Sequence, residues 1–423
     1  MRDGGRIAAA IDVLEDLAAR RKPAHLALRS WGERARYAGA KDRAFVSGLV
    51  LDALRRRRSL AWMMGEESDR ARVLAALRFV WDWPLERLAE AAEEAHGPGA
   101  LSESEQARLA VPVRLGDASP PVRGDYPDWM DERLARVFGE DRVLEAEAMA
   151  ARAPVDLRVN PLKTDVAHVL KALAAFAPAP VGFPAGGLRI APPAASDRAA
   201  PVEAAPEFAK GWFEVQDAGS QIAAAVAGDI KGGQVLDYCA GGGGKTLALA
   251  AAMRGTGQLY AYDADARRLK ETVTRAQRAG VRNLQVRSPL RGDALADLEG
   301  RMDLVFVDAP CTGSGTWRRH PDAKWRLTPA QLERRMAEQD AILAAASAFV
   351  KPGGRLVYVT CSLFAEENED RVAAFAVSHL AFRVEPVTLK GAELWRTDAG
   401  FLRLTPRSAG TDGFFVAALR RSN

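Results

Sequence analysis

The chain has 423 residues, 48% hydrophobic and 27% charged, a globular composition that excludes disordered, collagen-like and coiled-coil chains. At about 150 residues per domain, the length suggests two or three units, each able to bury a core without metals or disulfides. The formal net charge of +4 is uneven: residues 1–58 hold 14 Lys/Arg against 7 Asp/Glu, a local +7, so the remainder nets −3.

Residues 1 to about 116 read as helices. Ile7, Ile11, Leu14 and Leu17 recur at helical spacing, as do Phe45 and Leu49, and further on Leu74, Leu77 and Trp81. Trp83-Pro84 and Gly97-Pro98-Gly99 are breaks between helices. Arg20, Arg21 and Lys22, and then the run Arg55, Arg56, Arg57 and Arg58, make this segment basic. A basic face suggests a polyanionic partner such as nucleic acid; the plain alternative is a solvated helix surface. The polar, Pro-containing stretch 116–128 reads as a linker.

A short helical segment follows, with Leu134, Val137 and Phe138, and leads to Arg158-Val159-Asn160-Pro161-Leu162-Lys163. Residues 177–206 are rich in Ala and Pro, with a candidate strand at 187–190. Beyond Gly211 the pattern changes. Apolar runs at 234–239, 258–263, 284–287, 303–308 and 355–361 fit strands buried on both faces. Helical stretches at 246–253, 266–279, 329–350 and 365–377 separate them. This alternation predicts an α/β fold with a doubly wound, mostly parallel sheet. Runs at 401–404 and 414–419 predict a closing antiparallel hairpin.

Three cysteines, Cys239, Cys311 and Cys361, cannot all pair, which suggests reduced thiols in a cytoplasmic compartment. No secretory signal and no apolar run near 18 residues is visible, so a soluble protein away from membranes is expected. Five histidines without paired spacing predict no metal site. A monomer is expected.

The first strand of the alternating region runs through Asp237 and Cys239-Ala240 into Gly241-Gly242-Gly243-Gly244-Lys245-Thr246. Glycines at a strand-to-helix turn let backbone approach a ligand and present helix N-terminal N–H groups. A phosphate-binding P-loop would end the same way, but its first glycine falls on Cys239. Asp263 ends the next strand, 19 residues after Gly244, where an acid accepts hydrogen bonds from ribose hydroxyls. Loop and acid together favour an adenosyl cofactor, and a hydride-transfer enzyme would share both. Cys311, just past the strand ending at Asp308, and Cys361, at the end of the 355–361 run, decide the matter. Ligands bind at the carboxyl ends of such strands, and two of three thiols sit there. A single Cys there would more often be structural.

Asp308-Ala309-Pro310-Cys311 with Thr360-Cys361-Ser362 and Glu367-Asn368 resembles the RNA (cytosine-5)-methyltransferase family, the NOL1/NOP2/Sun group. Residues 158–163 are similar to its upstream motif. Arg318-Arg319-His320-Pro321-Asp322 with Lys324-Trp325 is similar to its bacterial rRNA branch. The N-terminal region resembles a NusB-type RNA-binding domain, as in 16S rRNA methyltransferases of the RsmB type. The resemblance implies a helical RNA-binding domain over 1–120, a small α+β RNA-binding subdomain over 126–210 and a Rossmann-like catalytic domain over 211–423.

It further implies S-adenosylmethionine as cofactor, held by Cys239, Ala240, Gly241, Gly242, Gly243, Gly244, Lys245, Asp263, Asp293 and Asp308. The implied reaction methylates C5 of a cytosine, most simply in 16S rRNA, with tRNA as an alternative substrate. Cys361 is expected to add to C6, its thiol activated by the dipole of a helix starting at 365, and Asp308 to serve the ring N3. Cys311 is expected to assist loss of the C5 proton, and Lys163 to lie near the catalytic loop or the RNA backbone, with an ordinary surface lysine as the plain alternative. Arg158, Asn160, Arg318, Arg319, Lys324 and the run Arg55, Arg56, Arg57 and Arg58 are the expected RNA contacts. The family's cofactor loop usually has Ala-Pro where Gly241-Gly242 stand here, a replacement that keeps the backbone cradle but loosens it. Two other classes compete: a P-loop nucleotidase, which gives the thiols no task, and a non-catalytic RNA-binding protein, against which the intact thiols and Asp308 argue.

Overall fold

The computed structural model describes residues 1–111, 114–197 and 200–423, which form two compact units. The first comprises Met1–Ala153, Pro192–Ala199 and Thr316–Leu327; the second comprises Pro154–Ala191, Ala200–Gly315 and Thr328–Asn423.

The first unit is helical: α1 (Asp3–Arg20), α2 (Ala24–Arg34), α3 (Ala40–Arg55), α4 (Arg57–Met64), α5 (Asp69–Ala75), α6 (Leu85–Glu93), α7 (Glu103–Ala110), α8 (Pro120–Arg123), α9 (Asp131–Phe138) and α10 (Arg142–Met149). The periodic apolar residues do what their spacing predicts. Ile7, Ile11 and Leu14 of α1 share one core with Phe45 and Leu49 of α3 and with Leu74, Leu77 and Leu88. Ser68 and Ser102 start α5 and α7 by accepting backbone N–H groups from Ala71 and Glu105.

The stretch 116–128 is not a linker. Pro120 and Pro121 open α8, where the missing N–H groups would have had no partner anyway. Tyr126 is fully buried, and the Asp125 carboxylate accepts from Ser59 N, Ser59 Oγ and Arg58 N. The first unit therefore runs past the expected boundary at 120, to residue 153.

Residues 316–327 belong to the same unit, with one helical turn, α16 (Ala323–Arg326). Their contacts cap helix ends, where backbone groups lack intrahelical partners. Asp322 Oδ2 accepts from Ala24 N at 3.1 Å, at the start of α2. Lys324 Nζ donates to Arg55 O at 2.8 Å and Trp325 Nε1 to Leu54 O at 2.7 Å, at the end of α3.

The second unit contains two sheets. The small one takes β1 (Val155–Val159), β2 (Ala179–Pro180), β3 (Gly187–Ile190) and β4 (Phe213–Val215) in the order β2-β3-β1-β4, all antiparallel, with α11 (Val166–Ala172) and α12 (Pro206–Ala209) between strands in sequence. The large sheet follows α13 (Ala218–Ala225). Its elements are β5 (Gln234–Asp237), α14 (Gly244–Met253), β6 (Gln258–Tyr262), α15 (Ala266–Ala279), β7 (Leu284–Arg287) and β8 (Met302–Asp308). They continue with α17 (Pro329–Ser347), β9 (Val350–Thr360), α18 (Glu369–Ser378), β10 (Phe382–Glu385), β11 (Leu402–Leu404), α19 (Pro406–Ala409) and β12 (Phe414–Arg421).

The strand order is β10-β12-β9-β8-β5-β6-β7, with β11 also on β12. Pairs from β9 to β7 are parallel, and those of β12 with β9, β10 and β11 are antiparallel, so the sheet is doubly wound with an antiparallel edge. Leu236, Val305, Val307 and Tyr358 lie in one buried cluster, Val235, Leu304, Phe306, Val357 and Val359 in another, which is why these strands are apolar throughout. The chain leaves β5 towards β6 on one side and returns to β8 on the other, a reversal that opens a crevice at the carboxyl ends.

Candidate active site

The glycine loop is held from both sides. Ala240 N donates to Tyr262 O at 2.9 Å, and Gly241 N to Asp263 Oδ2 at 2.8 Å. Thr272 Oγ1 and Arg275 Nη1, both on α15, donate to Gly241 O and Gly242 O. Gly243 has φ +87°, and a Cβ there would lie 3.0 Å from the Thr272 side chain. Glycine is needed at that position on both counts.

Asp263 is buried and does more than face a ligand. Its Oδ1 accepts from Asp265 N and its Oδ2 from Gly241 N, each at 2.8 Å, so it fastens the loop to the end of β6. Asp293 is exposed beyond β7, on a cavity of about 480 Å³ lined also by Val286, Ser288 and Arg291. Cys239 opens the loop with its thiol pushed up by burial and by the carboxylates of Asp237, Asp308 and Asp263.

Beneath the loop, Lys245 Nζ donates to Asp308 Oδ2 at 2.7 Å and lies 5.1 Å from the centre of the Phe414 ring. Burial pulls this ammonium down, but Asp308, Cys361 and Asp237 outweigh it and hold the group above its ordinary value. Asp237, wholly buried at the end of β5, accepts from Thr246 Oγ1 at 2.7 Å through Oδ2, while its Oδ1 has no hydrogen-bond partner among the described residues. Burial, reinforced by Asp308 and Asp263, pushes this carboxyl up to about 7 against the opposing Thr246 hydroxyl and Lys245.

The two thiols meet. Cys311 Sγ lies 3.4 Å from Cys361 Sγ, both half-buried. The contact with Cys361, burial, and the charges of Cys361 and Glu367 push the Cys311 thiol up, against one backbone N–H from Gly313. The helix expected from residue 365 is a single 3-10 turn (Ala365–Glu367), and α18 begins only at Glu369. A helix dipole fades within its first turn, so it does not reach Cys361, and the nearby cation is Lys245.

Several expected contacts lie elsewhere. Lys163 is exposed beside Gly280, at the turn from α15 into the edge strand β7, whereas the thiols follow the central strands β8 and β9. Asn160 holds that turn there: its buried side-chain amide donates to Gly211 O and Ala279 O, both at 2.9 Å. Arg158 donates to Gln216 Oε1 and Leu247 O within the second unit. Arg55, Arg318 and Lys324 are buried, and a buried cation does not meet a phosphate. Arg56 donates to Ala150 O, Arg57 lies 5.5 Å from the Trp325 ring centre, and Arg58 pairs with Asp128. The arginine run thus joins parts of the first unit to one another. Arg319 remains half-exposed.

Sequence reasoning missed Gln339 and gave no role to Asp237 or Glu367, although it met the first at a strand end and the second in the family motif. The signal for Gln339 was its place on the inner face of α17 with Leu332, Leu343 and Ala346. No group of His, Cys, Asp or Glu that could hold a metal occurs among the described residues, and no helix among them is long and apolar enough to cross a membrane.

Fold and site define a Rossmann-like methyltransferase that uses S-adenosylmethionine. The residues fit that group: a glycine backbone cradle at the β5 end, an acid at the β6 end and an open cavity at the β7 end. A family model for "16S rRNA methyltransferase RsmB/F" matches residues 228–420, and one for the "Methyltr_RsmF/B-like, ferredoxin-like domain" matches 126–193. The chain is 30% identical over 406 residues to ribosomal RNA small subunit methyltransferase B of Erwinia tasmaniensis, covering 90% of this chain and 91% of that one. It is 33% identical to a probable ribosomal RNA small subunit methyltransferase B of Synechocystis sp., covering 70% and 67%. A crystal structure of a methyltransferase homolog protein from Pyrococcus horikoshii is similar at TM-score 0.59 and 31% identity, covering 71% and 97%. The chain belongs to the RsmB/RsmF family of RNA methyltransferases.

Proposed function

We propose that the protein methylates C5 of a cytosine in 16S rRNA through a covalent adduct between Cys361 and C6 of the base. The observation that carries this reading is the pair of thiols 3.4 Å apart, beside the Lys245–Asp308 ion pair. Two such thiols can attend two adjacent ring carbons. S-adenosylmethionine, held by the glycine loop, Asp263 and the Asp293 cavity, supplies the methyl group.

Cytosine C5 is a weak nucleophile. Addition of the Cys361 thiolate to C6 forms the S–C6 bond and moves the C5–C6 double-bond electrons to C5, which is nucleophilic catalysis. The Lys245 ammonium is the charge that acts on the attacking Cys361 sulfur. Asp308, partly exposed, serves the ring at N3, where its carboxylate accepts the hydrogen bond of the N3 proton that addition at C6 requires. Cys311 faces Glu367, and its thiol is pushed up, which makes its thiolate a strong proton acceptor. Once C5 carries the methyl group and S-adenosylhomocysteine is left behind, the Cys311 thiolate accepts the C5 proton, the double bond re-forms and the Cys361 thiolate departs. The base must be unstacked to reach the thiols, at a cost of a few kcal/mol. RNA grip falls to the exposed basic residues of the first unit, Arg21, Arg34 and Arg36, with Tyr37 75% exposed beside them.

Bisulfite sequencing of RNA from a strain lacking the gene is expected to show one 5-methylcytosine lost from 16S rRNA. Loss from a tRNA instead would replace the substrate, and no loss would sink the reaction. With purified protein, Cys361→Ala abolishes turnover and Cys311→Ala accumulates an RNA–protein adduct that survives denaturant.

A further inference from the structure

Glu367 is fully buried, and its hydrogen-bond partners among the described residues are all neutral. Its Oε1 accepts from Thr312 N at 2.8 Å and from Gln339 Nε2 at 3.0 Å. Its Oε2 accepts from Thr312 Oγ1 at 2.5 Å and from Ser362 Oγ. Thr312 follows Cys311 and Ser362 follows Cys361, so one carboxylate joins the residues next to both thiols. Gln339 Nε2 also donates to Pro310 O at 3.0 Å, which holds the residue before Cys311. Tyr358 OH donates to Glu367 O at 2.7 Å and fixes the backbone that carries the carboxylate.

A buried carboxylate without a cation is expensive, and a neutral side chain could fill the space at lower cost. Purely structural joining is available nearby without charge: Leu363 N donates to Ser314 Oγ at 2.7 Å, and Gly315 N to Cys361 O at 2.9 Å. The carboxylate does two things that these bonds do not. It accepts from four donors at once, and it faces Cys311 with a negative charge.

We propose that Glu367 is a positioning residue for the two-thiol centre, clamping the Cys311 loop to the Cys361 loop so that release of the adduct follows its formation. This rests on the reaction proposed above. Glu367 touches neither RNA nor cofactor in this account. It acts through Cys311, whose sulfur it holds within reach of the adduct and whose thiolate its charge makes a stronger proton acceptor. The Lys245 charge acts on Cys361 independently of Glu367, so adduct formation is much less sensitive to Glu367 than release is.

The test compares Glu367→Gln, Glu367→Asp and Cys311→Ala in the full-length protein with a 16S rRNA fragment and S-adenosylmethionine. Glutamine keeps the shape but offers one accepting oxygen where the carboxylate offers two. Loss of charge-assisted bonds predicts that its kcat falls about tenfold or more while KM for RNA stays within about twofold. The mark of positioning is the intermediate: Glu367→Gln accumulates denaturant-resistant adduct, as Cys311→Ala does, and Glu367→Asp restores part of the turnover. Ser362→Ala removes one link and keeps the charge, and it gives a smaller effect in the same direction; it carries the test if Glu367→Gln does not fold. Normal turnover in Glu367→Gln overturns the proposal, as does slow turnover without adduct. If Cys311→Ala itself yields no adduct, the reaction is wrong; if it does and Glu367→Gln releases normally, only the clamp is wrong.

Discussion

At the residue scale, the site is a contest over one ammonium. Lys245 neutralises Asp308 at 2.7 Å and also serves Cys361 and Asp237, so three groups share a single buried cation. Asp237 fares worst because it is wholly buried, and its carboxyl is pushed up to about 7. Its folded-state value exceeds the ordinary 3.8, so the native state holds a proton that the unfolded chain has lost. The resulting stability is fully present below pH about 4 and is lost as pH rises through about 7. Asp237→Asn keeps the shape and removes the titration. Urea midpoints at pH 5 and pH 8 are expected to fall less between the two for the variant than for the parent; an equal fall would exclude Asp237 as the cause. From sequence, Asp308 and Lys245 were separate candidates. Their pairing was not legible, because it depends on β5 and β8 being neighbours although they are far apart in the chain. Cys311 and Cys361 were legible because each follows an apolar run.

At the element scale, strands read well and the loops beyond them read poorly. Parallel strands buried on both faces leave uninterrupted apolar runs such as 304–307, and no tertiary knowledge is needed to see them. The start of α18 was misplaced because Ala365-Glu366-Glu367 has helical propensity. Tertiary bonds override it: the Glu367 side chain is held by Thr312 and Ser362, and Asn368 turns at φ −113°, ψ −99° before α18 begins. The glycine loop was legible as a ligand cradle, although which of its four glycines are required was not. Gly243 answers that, with φ +87° and Thr272 at 3.0 Å. Gly243→Ala adds left-handed strain of about 1–2 kcal/mol at the first turn of α14. Lower thermal stability and weaker S-adenosylmethionine binding by calorimetry are expected; unchanged values for both would mean that the loop adapts freely. Alanine at Gly244, whose φ is not positive and whose Cβ would meet nothing nearer than 3.8 Å, is the control.

At the scale of the whole molecule, the uneven charge was legible but its address was not. The local +7 of residues 1–58 suggested that the arginine run grips RNA, yet Arg55 is buried, Arg56 and Arg58 bind carbonyls and a carboxylate, and Arg57 lies by Trp325. Sequence could not show this, because the partners come from residues 125–150 and 316–327, pieces of the first unit distant in the chain. A basic count therefore overstates the charge available to a polyanion. The exposed Arg34 and Arg36 are the better candidates, and salt dependence separates the two groups. Each phosphate contact contributes about 0.7–0.9 to the slope of log affinity against log salt. The double variant Arg34→Ala, Arg36→Ala is expected to lower that slope by about 1.5 and to leave the thermal midpoint near the parent's. Lys324→Met is expected to do the reverse. Burial already pulls the Lys324 ammonium down to about 7, and its bond to Arg55 O closes the end of α3, so its loss alters stability while the slope stays put. A slope that fell with Lys324→Met and not with the double variant would return RNA binding to the inserted segment.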